Sequence, residues 1–537
     1  MMKDLLLLIA VILTNFATVQ AQKTSGDLTG YIADKEGNPV ENVTVELIAD
    51  ANKSIHKAKS NSQGNFSFTQ LPTGDYLLKA THVSYQATNQ KIEIQAAHLT
   101  VTSLVIQPIS DLKEVVVTAG RKAESIDEVP SSITILSEKE VQQQMNINTS
   151  VSAVLGNTIP GLGTSTKKAT NNGQTLIGRQ VLVLIDGIPQ STPLMNGARD
   201  IRTLDPAIIQ KVEVIKGATS IYGNGSGGGI INFITKTPVS DKAFAGMTTI
   251  GSRSNLAHAE NTIGYRVSQL FEGSINKFSY VISGAYDYLG VQKDAKGFVN
   301  AQGDGLGESS LYNTFVKLNY KPNDKSSLVA SYNLFRSTQN RHYINQVGTY
   351  LENPSIGIKG DDPGEPAGTP YNHNVLLSYN HQNLPLGTML DITGYYNQFI
   401  SVNRYVANST SWYGAGQTKI QSFKKGIRLN LNTPWHVHEN FEGEITYGLD
   451  LLNDRTNQVL TDGRVYIPDM DMVNLAPYAQ IKFDLWENLI LKGGLRYENA
   501  KVRVEDFNTI ASGPEKEGSI AVSGGKIPYK ATMFNAG

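Results

Sequence analysis

The sequence of 537 residues contains no cysteine, which excludes disulfide frameworks and thiolate metal sites. Its formal net charge is only -1, so charge gives no reason to expect a nucleic-acid partner. It also lacks any apolar run of the ~20 residues that a membrane-spanning helix requires. Glycine is abundant at 49 residues and tyrosine, at 24, exceeds phenylalanine, at 16, a composition typical of large β proteins with many turns.

The N-terminus has the pattern of a secretory signal peptide. The apolar run Leu5–Leu13 follows Lys3, and Val19–Ala21 is similar to a signal-peptidase site. We therefore predict a signal peptide over residues 1–21, with a buried N-terminal helix as the alternative. An exported chain without a membrane helix is soluble, lipid-anchored or a β-barrel, and a lipid anchor would require a cysteine after the signal.

Residues 22–106 consist of short alternating runs separated by turns. Leu28–Ala33, Val43–Ile48, Phe66–Phe68 and Tyr76–Ala80 have the composition of strands, and Gly, Pro, Asn and Asp fill the segments between them. Several short strands at this spacing predict a small β-sandwich. No paired carboxylates lie near a nucleophile, so we interpret this segment as a periplasmic extension rather than a catalytic domain.

A linker at residues 107–129 contains the β-branched run Glu114–Ala119. The run has two interpretations that composition does not separate. It is either a last strand of the sandwich or a peptide that stays free to add a strand to the sheet edge of a partner.

Residues 130–238 predict a globular α/β segment. Ile133–Leu136, Val181–Ile185 and Val212–Ile215 are apolar strands, and Ser137 is a capping residue before a helix. The glycine-rich stretch 217–229 is similar to a phosphate-binding loop but lacks the Gly-Lys-Ser/Thr ending, so we interpret its glycines as sites of tight turns.

From Phe244 onward, long strands alternate between an apolar and a polar face. Phe278, Tyr280 and Ile282 share one face, whereas Ser279 and Ser283 share the other. Segments of about ten residues with one apolar face are typical of transmembrane β-barrels, although soluble sandwiches also alternate. Connections are tight at residues 321–325 and long at 337–372 and 401–421, and this asymmetry favours a barrel with short periplasmic turns and long outer loops.

Four motifs in the α/β segment follow one another in a specific order. Ile159–Leu162, Gly178–Pro189, Ile209–Gly223 and Gly227–Lys236 together closely resemble the plug domain of TonB-dependent receptors. The strand and turn pattern of residues 27–76 resembles the carboxypeptidase-regulatory-like domain. The resemblance implies a mainly β fold with a small N-terminal β-sandwich, an α/β plug domain at 130–238 and an antiparallel transmembrane β-barrel at 239–537.

The family resemblance also implies a mechanism. The run at the linker has the form of a TonB box, the peptide that the periplasmic TonB complex pulls after a ligand binds outside. Uptake of this kind implies no enzymatic chemistry, a location in the cell outer membrane and contact with its lipid. The residues of the predicted box are Glu114, Val115, Val116, Val117, Thr118 and Ala119.

Several plug-motif positions are expected to matter by the same resemblance. We interpret Arg179 and Glu213 as charged residues on apolar strands that make polar contacts between plug and barrel. The complete set is Gly178, Arg179, Asp186, Gly187, Glu213, Lys216, Gly217, Tyr222, Gly223, Gly229 and Asn232.

The barrel region is short for this family. Residues 240–537 allow about 12 strands, whereas a barrel of 22 strands would need roughly 200 further residues. We therefore expect an incomplete barrel and a longer parent protein, since an open sheet edge is costly in lipid.

The motif details look most like ferric-siderophore receptors, in which iron enters only as part of a transported chelate and no cofactor is held. Such chelates are often anionic, so arginines and aromatic rings near the mouth are candidate ligand contacts. The candidates are Arg199, Arg202, Arg336, Arg341, Tyr343, Arg404, Tyr405, Trp412 and Tyr413. His342, His373 and His381 could instead indicate haem, although histidines scattered near aromatic residues are common.

Two other functions remain open at this level. A glycan or peptide importer has the same architecture, and the N-terminal sandwich suits it equally well. An exported β-rich adhesion or structural protein would not need the linker box at all. An enzyme has the least support, because the sequence contains no nucleophile–base set and no metal-ligand cluster.

Overall fold

The protein was analysed as a computed structural model with two compact units, Met1–Val116 and Val117–Gly537. The predicted signal peptide lies outside the described residues. No helix in the part of the chain described is long and apolar enough to cross a membrane. The structure describes residues 25–34, 37–49, 53–82, 85–106, 116–117, 121–122, 124–126, 129, 131–165, 174–190, 200–217, 222–223, 225–238, 242–302, 307–407, 413–438, 441–486, 489–511 and 518–537.

The first unit is a two-sheet β-sandwich, as predicted. One sheet has the order β4-β1-β7 and the other the order β3-β2-β5-β6, with β1 antiparallel to β4 and parallel to β7. Alternate residues of β1 and β2 point into one apolar core, in which Ile32, Val45 and Leu47 are fully buried. The strands are β1 (Ser25–Ala33), β2 (Thr44–Ala49), β3 (Lys53–Lys59), β4 (Asn65–Pro72), β5 (Gly74–His82), β6 (Tyr85–Ile94) and β7 (Leu99–Val105).

The described residues of the linker and of the following α/β segment, which is called the plug below, contain seven strands and two α-helices. The five-stranded plug sheet has the order β10-β13-β14-β11-β12. Its elements are β8 (Val116–Val117), β9 (Glu124–Ser125), β10 (Ile133–Ser137), α1 (Glu138–Met145), α2 (Val151–Thr158), β11 (Leu182–Ile185), β12 (Ile188–Pro189), β13 (Ile209–Lys216) and β14 (Gly229–Thr235), with short 3-10 helices at Asp200–Arg202 and Pro206–Ile208.

Helix α1 begins where the sequence predicts, because Ser137 and Glu140 form a capping box. The Ser137 side chain accepts a hydrogen bond from the Glu140 backbone N–H at 3.3 Å, and the Glu140 carboxylate accepts one from the Ser137 backbone N–H at 2.7 Å. These bonds favour the charged carboxylate, so hydrogen bonding from Ser137 lowers the pKa of Glu140.

The remainder of the described chain contains a sheet of twelve strands, called the wall sheet, and five short strands outside it. Each strand of the wall sheet is antiparallel to its neighbours, and the order is β15-β16-β17-β19-β20-β23-β24-β25-β26-β27-β28-β31. The strands are β15 (Ala245–Arg253), β16 (Gly264–Ile275), β17 (Phe278–Leu289), β18 (Val299–Asn300), β19 (Ser309–Asn323), β20 (Ser326–Gln339), β21 (Tyr343–Gln346), β22 (Ile356–Lys359), β23 (Gly368–Leu384), β24 (Thr388–Val402), β25 (Thr418–His438), β26 (Phe441–Leu460), β27 (Val465–Leu485), β28 (Leu489–Val504), β29 (Phe507–Asn508), β30 (Ala521–Val522) and β31 (Gly525–Ala536).

The two faces of the wall sheet differ as the alternating sequence predicts. On β17, Phe278 and Ile282 are 43% and 42% exposed, whereas Val281 and Ser283 on the opposite face are 0% and 4% exposed. The buried face packs on the plug. Its inward apolar side chains, including Phe315, join the core that the plug sheet and helices form.

Connections at the two ends of the wall sheet differ in length. Turns of a few residues join β16 to β17, β19 to β20 and β23 to β24. The opposite end, called the long-connection end, carries residues 254–263, 290–308, 340–367, 403–417 and 505–524. One connection at that end is tight, at residues 461–464, and is the exception to the predicted asymmetry.

Candidate functional site

A cavity of about 350 Å³ lies between the plug and the wall sheet at the long-connection end. The plug contributes residues of the α2 N-terminus and the segment from Arg202 to Pro206. The wall sheet contributes the ends of β15, β17, β19, β20 and β23. These strand ends meet there because adjacent antiparallel strands return to the same edge of the sheet.

The cavity lining carries an excess of positive charge. Among the described residues that form it, the charged side chains are four arginines and two aspartates, with no lysine, glutamate or histidine. Because arginines outnumber aspartates in this lining, the cavity favours an anionic occupant. The charged residues are Arg202, Arg253, Arg266, Arg404, Asp205 and Asp287.

Arg266 is the centre of the cavity cluster, defined as Arg253, Arg266, Asp205 and Asp287. Its guanidinium donates to both carboxylate oxygens of Asp205 on the plug, at 2.8 and 2.7 Å, and also to Asp287 on β17. Arg253 lies 3.5 Å from Asp287 and is 45% exposed at its side chain. Asp205 additionally accepts the Ala207 N–H at 2.7 Å and so caps the 3-10 helix Pro206–Ile208.

Arg202 reaches the cavity from the plug. Its guanidinium lies near the hydroxyl groups of Ser150, Ser152 and Ser165, at 3.5, 3.3 and 3.4 Å. Arg202 is one of two predicted ligand candidates among the residues that form the cavity lining, and Arg404 is the other.

Arg404 also lines the cavity, but its nitrogens are bonded to neighbouring connections. Nε donates to Asp362 at 2.7 Å, Nη2 donates to the Tyr343 carbonyl at 2.8 Å, and Nη1 donates to the Gln302 carbonyl. The Tyr343 side chain is buried rather than presented to the mouth.

Arg336 does not face the cavity, and its prediction as a ligand contact is wrong. It is exposed on β20, opposite Tyr312 of β19, on the face of the sheet turned away from the plug. Its neighbours Asn333 and Phe335 are buried and point inward. Side-chain alternation along the strand would have revealed this orientation.

The other predicted ligand candidates are not gathered at the cavity. Arg341 is an exposed residue that donates to the Gly364 carbonyl at 2.5 Å. Tyr405 lies beside Gly364, and the Tyr413 ring packs edge-on against Tyr466 at 5.6 Å. Arg199 and Trp412 lie outside the described residues.

The predicted Asp186–Gly187 turn joins β11 to β12 and binds the wall sheet. Asp186 accepts the Thr235 N–H at 2.9 Å and its hydroxyl at 2.6 Å, and Lys317 of β19 lies 3.3 Å from the same carboxylate. Gly187 donates to the Asn232 side chain at 3.0 Å, while its carbonyl accepts from Arg428 of β25. Both turn residues have positive φ, at 46° and 78°.

One plug-motif prediction needs correction. Arg179 lies in an exposed turn, where its N–H bonds to the Leu176 carbonyl at 3.0 Å, and it is not on a strand. Glu213 is fully buried on β13, where it forms an ion pair with Lys211 at 2.8 Å and accepts a hydrogen bond from Asn232 at 3.3 Å.

Two glycines of the glycine-rich stretch lie close to neighbouring atoms. A Cβ on Gly223 would lie 2.5 Å from Glu498 on β28, and one on Gly229 would lie 2.1 Å from the Ile215 carbonyl. Lys216 ends β13, and the Gly217 N–H bonds to the Gly228 carbonyl at 3.2 Å. Gly178 has a φ of 72° in the same exposed turn as Arg179.

A second charged cluster, called the linker cluster, joins the linker to the wall sheet. Arg121 makes a bidentate ion pair with Asp450 of β26, with nitrogen–oxygen distances of 2.9 and 2.6 Å. Its guanidinium also lies over the rings of Tyr222 and Tyr478, 5.0 and 4.3 Å from their centroids. Arg496 donates to the same Asp450 at 2.7 Å.

Two further ion pairs continue the linker cluster along the linker. Lys122 pairs with Glu444 of β26, and Glu124 pairs with Lys492 of β28 at 3.0 Å. The side chains of this second pair are 3% and 7% exposed. The linker just after the predicted box is therefore fastened to the interior of the wall sheet.

Tyr222 belongs to the linker cluster from the plug side. Burial raises the pKa of Tyr222 to about 12, against the opposing effects of Arg121 and Arg428. The phenol is therefore neutral at physiological pH. Arg121 itself loses favourable hydration on burial, but the Asp450 carboxylate more than offsets this and raises its pKa.

Only part of the predicted TonB box falls on described residues. Val116–Val117 forms β8, which pairs with β9 in a sheet of two strands and is in neither sandwich sheet. Glu114, Val115, Thr118 and Ala119 lie outside the described residues.

Histidines do not converge on a haem or metal site in the described parts of the chain. His342 pairs with Glu308 at 3.0 Å, His373 contacts the Tyr332 hydroxyl at 2.9 Å, and His381 contacts the Ser326 hydroxyl at 2.8 Å. No group of three or more metal-ligand side chains occurs among these residues.

Known protein families match the chain in three successive segments. The carboxypeptidase regulatory-like domain matches residues 27–107, the TonB-dependent receptor plug domain matches 125–230, and the TonB-dependent receptor-like β-barrel matches 312–532. The chain belongs to the TonB-dependent receptors, a family of transport receptors, and is a protein of the cell outer membrane.

Curated relatives agree with this assignment. The ferric aerobactin receptor of Klebsiella pneumoniae is 27% identical over 494 residues, which cover 82% of this chain and 63% of the relative. The rhizobactin receptor of Rhizobium meliloti (strain 1021) is 28% identical over 488 residues, which cover 80% and 62%. The chain thus spans about three-fifths of the length of these relatives.

A solved structure shares the fold at low sequence identity. The open form of the ferric-catecholate import receptor Fiu from E. coli K12 superposes with a TM-score of 0.57 and 12% identity. The match covers 78% of this chain and 69% of that structure.

Proposed function

We propose that the protein takes up an anionic ferric siderophore across the outer membrane in a TonB-dependent manner. The observation that carries the proposal is the cavity between plug and wall sheet, whose charged lining consists of four arginines and two aspartates. A ferric chelate with free carboxylates matches such a lining through charge-assisted hydrogen bonds. The relatives named for ferric aerobactin and rhizobactin support the same class of ligand.

Iron is cargo in this proposal, and the protein performs no covalent chemistry on it. The TonB complex is the proposed partner because Glu114–Ala119 resembles the peptide that this complex engages. The neighbouring linker cluster would hold the segment that follows the box, at Arg121 and Lys122, against the wall sheet until the plug moves. We propose that the protein acts as a transporter and not as an enzyme.

Ligand binding is tested by tryptophan fluorescence of the purified protein. Ferric aerobactin and ferric rhizobactin are titrated separately, alongside the iron-free compounds, an oligosaccharide mixture and a peptide mixture. We expect saturable quenching by at least one ferric chelate, weakened by Arg202→Gln and unchanged by Arg336→Gln, since Arg336 faces away from the plug. A response only to the oligosaccharide or peptide mixture would overturn the iron assignment in favour of another importer.

Coupling to TonB is tested separately through the box. Proline at positions 116 and 117 removes two backbone donors that strand addition requires. We expect Val116→Pro/Val117→Pro to abolish uptake of the radiolabelled ferric chelate by cells while leaving its binding intact. Unchanged uptake would exclude the box as the point of coupling, whereas no uptake by the parent protein would favour an adhesion or structural role.

A further inference from the structure

Three connections at the long-connection end lie side by side above the cavity. Strand β18 belongs to the connection 290–308, whereas β21 and β22 belong to the connection 340–367. These strands form one three-stranded sheet in the order β18-β22-β21, so the first two connections already share backbone hydrogen bonds. The described residues of the third connection, 403–407 and 413–417, add no strand to this sheet.

Arg404 ties the third connection to the other two. Its guanidinium donates to the Gln302 carbonyl in the first connection, and to the Tyr343 carbonyl and the Asp362 carboxylate in the second. The side chain is only 11% exposed. All three guanidinium nitrogens are thus engaged with protein acceptors, although the residue borders the cavity.

Gln417 makes a second tie at the other end of the third connection. Its side chain donates to the Glu365 carbonyl at 2.7 Å and accepts the Glu365 N–H at 2.8 Å. It also donates to the Asn403 carbonyl at 2.9 Å, beside Arg404. With 1% of its surface exposed, Gln417 holds the two connections together where water is excluded.

We propose that Arg404 is a positioning residue that fastens the three connections into one preformed cap over the cavity. This inference rests on the proposed function for the identity of the ligand, but not for the cap itself. A planar guanidinium can satisfy three acceptors in fixed directions, whereas a lysine ammonium is a compact charge on a flexible stem. A cap assembled before binding lowers the ordering cost of the ligand complex.

The cap is tested without ligand by hydrogen–deuterium exchange of the purified protein. We expect Arg404→Gln to accelerate backbone exchange in all three connections together. The matched control is Arg341→Gln, which removes an exposed arginine of the second connection and should affect only residues near its Gly364 contact. Faster exchange confined to residues 403–417 in the Arg404 variant would overturn the proposal.

A lysine variant separates positioning from direct contact with an anionic ligand. If Arg404 positions the cap, Arg404→Lys and Arg404→Gln should weaken ferric aerobactin binding equally, by about tenfold, because the competent conformation is depopulated in both. If the charge itself contacts the ligand, Arg404→Lys should retain most of the affinity, which would contradict the positioning role. Should ferric aerobactin not bind at all, the exchange experiment still decides whether the cap exists.

Discussion

The plug meets the wall sheet through two clusters of buried arginine and aspartate, and the clusters differ in their surroundings. In the linker cluster, Arg121 and Asp450 are closed in by the Tyr222 and Tyr478 rings. In the cavity cluster, Arg266 has comparable bonds but borders an open space. The same kind of ion pair therefore fastens a segment in one place and forms the wall of the proposed ligand site in the other.

The largest effect is expected from Asp450→Asn in the linker cluster. The change leaves Arg121, Arg428 and Arg496 buried beside a neutral side chain, which costs about 3–5 kcal/mol for a broken buried pair. The measurement is the unfolding free energy from denaturant titration in detergent, together with protease cleavage of the linker.

The matched control for this change is Asp469→Asn. Asp469 pairs with Arg455 at 2.6 Å, but Arg455 is 57% exposed at its side chain. An exposed pair contributes about 0–1 kcal/mol, so this variant should unfold almost like the parent. Equal losses of unfolding free energy in the two variants would show that the linker cluster does not hold the linker to the wall sheet.

Arg266→Gln is expected to have the second-largest effect on stability. It should weaken ligand binding more than Asp450→Asn does. The variant leaves Asp205 and Asp287 unpaired, but water in the cavity can solvate them, so the cost is about 1–3 kcal/mol. It also removes one of the four arginines of the cavity lining. Fluorescence titration with ferric aerobactin should show weaker binding than for Asp450→Asn, and the reverse order would break the comparison.

Ionisation of Tyr222 makes the stability of the protein depend on pH in the alkaline range. Because its pKa is raised to about 12, the folded state holds the phenolic proton more tightly than the unfolded state. Its contribution is complete below the unfolded pKa of about 10 and is lost as pH rises towards 12. The neighbours that share this environment are Arg121, Arg428, Glu213 and Tyr478.

This pH dependence is measured as the difference in unfolding free energy between the parent and Tyr222→Phe. The phenylalanine ring keeps the stacking position but cannot ionise. We expect the parent to lose about 1–3 kcal/mol more than the variant between pH 9 and about pH 12. Parallel loss in both proteins would assign the titration to another group.

The smallest effect is expected at the capping box of α1, which touches neither cluster. Ser137→Ala should cost about 1 kcal/mol at neutral pH. Since the pKa of Glu140 is lowered, the contribution of its carboxylate is present above the unfolded value of about 4.3 and declines as pH falls through the folded value. Glu140→Gln should remove this acid dependence in thermal unfolding experiments.

Local features could be predicted because short-range chemistry determines them. The capping box, the Asp186–Gly187 turn and the alternating faces of β17 follow from residues a few positions apart. Asp287 has the same parity along β17 as Ser279 and Ser283, which the alternation assigns to the polar face, and it is bonded to Arg266 on the side of the plug. The family resemblance added the plug and the order of the domains, and the family matches agree.

The clusters could not be predicted because their members are distant in sequence. Arg121 and Asp450 are 329 positions apart, and Asp205 and Arg266 are 61 apart. Their pairing depends on how the plug is seated against the wall sheet, which side-chain periodicity does not specify. Arg336 differs from these residues, because its position along β20 relative to the inward-facing Asn333 and Phe335 is enough to predict that it faces outward.

Aromatic rings on the outer face of the wall sheet have a consequence for membrane selection. Phe278 packs with Tyr320 at one level, and Tyr286 packs with Tyr265 and Tyr312 at another. About eight residues of β17 separate the levels, and at ~3.4 Å per residue and a tilt of ~40° this spans roughly 20 Å. Interfacial rings at that spacing match a thin hydrocarbon layer, so a thicker bilayer would incur hydrophobic mismatch and disfavour insertion.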